Sequence, residues 1–472
     1  MAIGPDPLGA VRALNRFGLG ARPGDLAQAA ADPRGFVLDE LQRPDQATLA
    51  AAGLPTSAQA LQQVYLDGQQ KKMARERAAM SPPAPAAMTP DGKPAPQPKA
   101  EPAPEQKIFQ AEALARFNKQ LGASCGFVER LVAFWSNHFA VSVSKSGHLR
   151  AVAGAMEREA IRPHVGGRFA DLLLAVETHP AMILYLDNQR SVGANAPAGR
   201  FAGRGLNENL AREILELHTL GVDGGYTQAD VTEFAKVITG WSIAEAESEI
   251  GQPGSFVFKA NWHEPGPRVV LGKAYAQTGR DQGEAALADL ARHPATARHV
   301  AFKLARHFVS DNPPPGLVDS LARRFQDSNG DLKAVATALV RDERAWAGEA
   351  TKVRTPLELV VAGARAIGFS PQEPGPFLHA LAMLGMPLWQ PGGPNGFPDT
   401  VAAWASPEAM KMRLDLSAQM AQRARDADEP LALLEAVCGQ TASRETRQAI
   451  ERAESKKQAL ALLFMAPEFQ RR

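Results

Sequence analysis

Only two cysteines, Cys125 and Cys438, occur in the 472 residues. They stand far apart in the chain, which excludes a disulfide framework and any Cys-x-x-Cys zinc or redox site, and a reducing compartment fits the pair. No stretch approaches the ~18 consecutive apolar residues that cross a bilayer. The opening MAIGPDPLGAVRALNRFGLG has no basic segment followed by an apolar run and a cleavage site. That absence sets the expectation of a soluble, cytoplasmic protein with no membrane span. Charge of one sign is missing as well: 52 Lys and Arg against 51 Asp and Glu leave a formal +1. Without a global basic field, electrostatics does not imply nucleic acid or an anionic membrane as a partner. A nucleophile elbow, a phosphate-binding glycine loop and a dinucleotide fingerprint are all lacking. Gly203-Arg204-Gly205 precedes a helix but is too short to count.

Apolar residues make up 45% of the chain, enough for a large core, and alanine and leucine outweigh valine and isoleucine. That balance favours helix over strand. The expected fold is mainly α: one multi-helical globular domain with one small β-hairpin and a Pro/Ala-rich disordered excursion. Residues 1–79 form its N-terminal helical part, 80–105 the insertion and 106–472 the main helical part. In the insertion, SPPAPAAMTPDGKPAPQPKAEPAPE, repeated proline removes backbone donors and too little apolar surface remains for a core. Further on, Phe127–Phe139 carries Leu131, Trp135 and Phe139 on one stripe at i, i+4, i+8. Thr227-x-x-Asp230 has the pattern of a capping box. His293-Pro294 opens a long helix through Val309, and Ser406-Pro407-Glu408 opens another with proline at the first helical position. The β signal lies in Ser255–Lys259 and Arg268–Leu271, flanking Asn261–Gly266, and reads as one hairpin.

The chemistry concentrates between Asn207 and Tyr226, NENLAREILELHTLGVDGGY. As a regular helix this segment sets Glu208, Arg212, Glu216, Asn209 and Glu213 on one arc of ~140°. His218 falls among the leucines on the other side, so Glu213, Glu216 and His218 cannot converge on one metal from a regular helix. Nor does the spacing match the histidine pair of His-Glu-x-x-His zinc sites. One reading makes the arc a site, with Glu213 or Glu216 as general base or ligand of a divalent metal and Arg212 orienting an anion. The other makes it a solvated face laced by Glu208–Arg212 and Arg212–Glu216 pairs, each contributing about 0.2–0.5 kcal/mol. Asn207 is the expected N-cap, and Asn207, Glu208 and Asn209 are candidate substrate contacts. His138, at the end of the Trp135–Phe139 stripe, is either an acid/base group or a core histidine whose ring reaches a backbone carbonyl. Asp187 and Asn188 could hold a cation or a sugar, or simply cap and turn the chain. Trp262, His263 and Glu264 present the same choice.

At these motifs the chain resembles the bacterial family catalogued as domain of unknown function 1800. The resemblance rests on Leu14-Asn15-Arg16-Phe17-Gly18, Phe134-Trp135-Ser136-Asn137-His138-Phe139, Tyr185-Leu186-Asp187-Asn188 and Gly205-Leu206-Asn207-Glu208-Asn209-Leu210-Ala211-Arg212-Glu213. It continues through Leu215–Val222, Thr239-Gly240-Trp241, Lys303-Leu304-Ala305-Arg306-His307-Phe308-Val309 and Ala466-Pro467-Glu468-Phe469-Gln470. The family implies little chemistry. It implies a companion of the family catalogued as domain of unknown function 1501, which resembles alkaline phosphatases and sulfatases, and many relatives carry export signals. Two departures stand out: Glu264 where the family has aspartate after the histidine, and Phe397 where it has tryptophan. Two functions therefore stay open, a hydrolytic or metal-assisted enzyme and a non-catalytic accessory or maturation partner of that companion. Substrate, reaction, metal identity and oligomeric state are not legible.

Overall fold

The computed structural model describes residues 4–43, 45–49, 52–80, 101–199, 205–247, 250–425 and 429–472. Helices dominate, twenty-four of them α-helices among the described residues. They share one core, in which Phe17, Phe127, Trp135, Phe139, Phe169, Trp241 and Phe308 are buried together with many alanines and leucines. No helix is long and apolar enough to cross a membrane among those residues. Cys125 and Cys438 are buried free thiols.

Local sequence explains most helix starts. The Thr227–Asp230 capping box forms in both directions at the head of Gln228–Val237. Ser406 caps Pro407–Arg423 through the Ala409 N–H, and His293 caps Pro294–Phe308 through Ala295. Residues 81–100 of the proline-rich stretch lie outside the described residues. Its edges are ordered differently from expectation: Met80 ends a 24-residue helix begun at Ser57, and Pro104 and Glu105 begin the helix Pro104–Gly122.

The expected hairpin is instead two separate two-stranded antiparallel sheets. Strand β1, Trp241–Ile243, pairs with β2, Phe256–Phe258, and β3, Arg268–Val270, pairs with β4, Lys273–Tyr275. Both anticipated strands exist, but each takes a different partner. The chain between them is diverted by a 3-10 turn at Ala260–Trp262 and anchored by Glu264, which is buried and accepts from the Asn195 backbone N–H at 2.9 Å and its Nδ2 at 2.6 Å.

Among the described residues three π-helical turns interrupt the helices, at Ala13–Phe17, Glu157–Ile161 and Ile214–Thr219. The third corrects the regular-helix projection of 207–220: the α-helix runs only Asn209–Glu213 before the wider turn begins. Such turns shift the side chains beyond them, and they recur at functional sites.

Candidate functional site

Glu208, Arg212 and their neighbours form a surface lattice. Arg212 bonds Glu208 at 3.0 Å and Gln228 at 3.1 Å, while Glu208 also accepts from Gln228 and Thr232. The anticipated Arg212–Glu216 pair is replaced by a Tyr226 hydroxyl donating to Glu216 at 3.2 Å. Glu213 is half-buried, and among the described residues none donates a hydrogen bond to its carboxylate. Burial pushes its pKa above the ordinary glutamate value, with Glu216 adding to the rise. Asn207 accepts from the Asn209 N–H and donates to the carbonyls of Leu186 and Asp187. It thereby joins the helix start to the Asp187 turn, while Asn209 is itself exposed. Asp187 sits at φ 57 with Lys145 2.6 Å away. Asn188 is buried and donates to the carbonyls of Ile238 and Trp241. His263 bonds the Thr239 carbonyl.

His218 is wholly buried against Glu177, Nδ1 to Oε1 2.8 Å. The last carbonyls of a helix lack intrahelical donors, and two histidines from elsewhere serve them here. His138 Nε2 lies 3.1 Å from the His218 carbonyl and His299 Nε2 3.1 Å from that of Leu217. Since a carbonyl only accepts, each Nε2 carries the proton. His138 Nδ1 is then an acceptor, and it is buried without a partner. Burial, then the Lys303 charge, holds His138 well below the ordinary histidine pKa, so it is neutral.

His138 also lines a partly open cavity of about 240 Å³. Of the candidate residues drawn from the sequence it is the one that does so; Glu213, Glu216 and Arg212 lie elsewhere. The cavity sits between the helices Phe127–His138 and Pro294–Phe308 and the 386–399 loop, with Met156, Ile161, Leu381, Met386 and Trp389 as an apolar wall. The loop is clamped to the helix end by Asn137, which donates to the Phe397 carbonyl at 2.9 Å and accepts from the Phe397 N–H at 2.7 Å. Gly396, at φ +76, lies so close to Asn137 that a Cβ would fall 2.4 Å from its carbonyl oxygen. A side chain there would open the clamp.

Charged groups on the wall are mostly matched. Arg116 meets Glu157 at 3.2 Å, and Arg130 meets Glu358 at 3.0 Å. His307 Nδ1 lies 2.8 Å from Asp399 and its Nε2 3.2 Å from Arg130. A guanidinium only donates, so Nε2 accepts and Nδ1–H faces Asp399. Burial lowers the pKa of this neutral imidazole to about 4 despite the carboxylate. Asp399 is further held by Lys352 at 2.9 Å. Arg306 spends its Nε on the Asp311 carbonyl. Lys303 is the exception: among the described residues no anion or acceptor bonds its ammonium. Desolvation lowers its pKa to about 8, against the opposing pull of the Asp399 carboxylate and with a smaller push from Arg306.

Lys303 was not among the residues singled out by chemistry in the sequence, although a signal exists. His299, Lys303 and His307 recur every fourth residue and so share a helix face, between alanines, leucine and valine that turn inward. No group of three or more His, Cys, Asp or Glu gathers as metal ligands would among the described residues.

A family model described as "Protein of unknown function (DUF1800)" matches residues 12–471. No curated protein and no solved structure matches the chain.

Proposed function

Since the chain belongs to the DUF1800 family of unknown function, from which no activity carries over, we propose from the cavity itself that it is an enzyme acting on a small compound with one anionic group, bound against Lys303. The observation that carries this reading is the Lys303 ammonium, which has no bonded partner among the described residues, on a wall where Arg116 and Arg130 hold carboxylates and Arg306 the Asp311 carbonyl. Its side chain is half-buried, and a partly desolvated charge without a partner is costly, a cost that a ligand anion would offset. The volume is below the ~300–1,000 Å³ of pockets for drug-sized ligands, so the ligand is metabolite-sized. His138 lines the same cavity and its buried Nδ1 has no partner, which makes it the acceptor we propose for a ligand hydroxyl or amine proton.

Calorimetry of the full chain against a panel of small carboxylates and phosphate esters tests the proposal. At least one monoanion should bind the wild type, and Lys303→Met should weaken it tenfold or more, about 1.4 kcal/mol. Equal binding by both proteins, or none by either, overturns it.

Two further readings belong with this proposal. A divalent metal at Glu213 and Glu216 would draw its remaining ligands from water or substrate, which fits a carboxylate already raised in pKa. An accessory role beside the phosphatase- or sulfatase-like companion, in the cytoplasm, is favoured by the self-satisfied Glu208–Arg212–Gln228–Thr232 surface. In that case the two proteins would co-purify with activity in the companion alone.

A further inference from the structure

We propose that Lys303 is a covalent nucleophile whose amine condenses with the carbonyl of a small 2-oxo acid to form an imine. The inference rests on the cavity being the ligand site and adds the chemistry performed there. The Lys303 nitrogen has no bonded partner among the described residues, so no ion pair or hydrogen bond must break before it attacks. Desolvation, with a smaller contribution from the Arg306 charge, outweighs the pull of Asp399 and favours the neutral amine near pH 8, the form that is nucleophilic.

Arg306 supplies the other half of the recognition. It lies three residues on, on the adjoining part of the same helix face, and lines the same cavity. Its guanidinium stacks 4.5 Å over the Phe302 ring and has no carboxylate partner among the described residues. A 2-oxo acid places a carboxylate one bond from its carbonyl carbon, so a single small ligand can meet Arg306 and Lys303 together. The competing anions are engaged: Asp399 with His307 and Lys352, Glu358 with Arg130 and Arg472.

The step balances without a redox partner. The amine lone pair forms the C–N bond while the carbonyl pair moves to oxygen, giving a carbinolamine. Loss of the oxygen as water follows, both of its hydrogens coming from the amine, and C=N remains.

Pyruvate with sodium cyanoborohydride, which would reduce the imine to a stable secondary amine, is the direct trap. The full-length protein should gain one reduced pyruvyl group, mapped to Lys303 and formed at least tenfold faster there than at the exposed Lys72 and Lys411. Lys303→Arg should lose that modification while keeping its melting temperature within a few degrees; if the variant fails to fold, the wild-type map alone decides. Modification of Lys303 no faster than of the exposed lysines overturns the inference. Lactate, which has the carboxylate but no carbonyl, separates the two levels. If lactate protects the wild type thermally and pyruvate is not trapped at Lys303, the imine fails while the ligand site stands. If lactate gives no protection and nothing is trapped, both fail.

Discussion

Glu213 is a carboxylate held in an unfavourable place. Burial raises its pKa, so the folded state binds its proton more tightly than the unfolded chain does. Stability from this group is therefore greatest below the unfolded glutamate pKa and falls as the pH climbs through the raised folded value. Glu213→Gln removes the charge while keeping the shape. It should raise the melting temperature at pH 7, with the gain vanishing below about pH 4. A wild type more stable than the variant at pH 7 would show that the carboxylate is favourably paired in solution. A group retained against stability is the kind that function explains, which keeps Glu213 in the proposed chemistry although it lies away from the cavity.

At the scale of the element, the turn at Ile214–Thr219 depends on remote histidines. His299 donates to the Leu217 carbonyl and His138 to that of His218. Replacing His299 by leucine leaves a part-buried acceptor without this donor, which costs about 1 kcal/mol, the low end of the range for a lost partner. Urea denaturation should show that loss, and His299→Gln, whose amide can donate, should recover part of it. An unchanged midpoint in His299→Leu would mean the carbonyl finds another donor. The same dependence explains what the sequence could and could not tell. The capping box at Thr227–Asp230 and the serine–proline start at Ser406 are local, and both formed as anticipated. The wider turn at His218 is imposed by side chains 80 residues upstream and 82 downstream of the carbonyls they serve, so local periodicity projected a regular helix. The strands at Phe256–Phe258 and Arg268–Val270 were legible from their residues, whereas their partners at Trp241 and Lys273 depended on where Glu264 anchors the connection.

Across the whole molecule, the cavity assembles from segments that only the fold brings together. His138 ends one helix, Lys303 and His307 lie on another, and Asn395 to Asp399 arrive on a loop pinned by Asn137. The sequence marked the first and touched the last of these, through the Trp135–Phe139 stripe and through Phe397. It did not mark their meeting, because charge pairing across the wall is a property of contacts far apart in the chain. Phe397 lines this cavity, so its ring bears on the ligand space directly. What distinguishes Lys303 is an ammonium with no bonded partner among the described residues, where Arg116 and Arg130 hold carboxylates and Arg306 a carbonyl, and the ionisation of its amine reports on that most directly. Competitive labelling with trace acetic anhydride, followed by peptide mapping across a range of pH, measures it in the intact protein. The account predicts that Lys303 titrates near 8, well before Lys72 and Lys411. Titration of Lys303 together with them, at the ordinary lysine value of about 10.4, would contradict it.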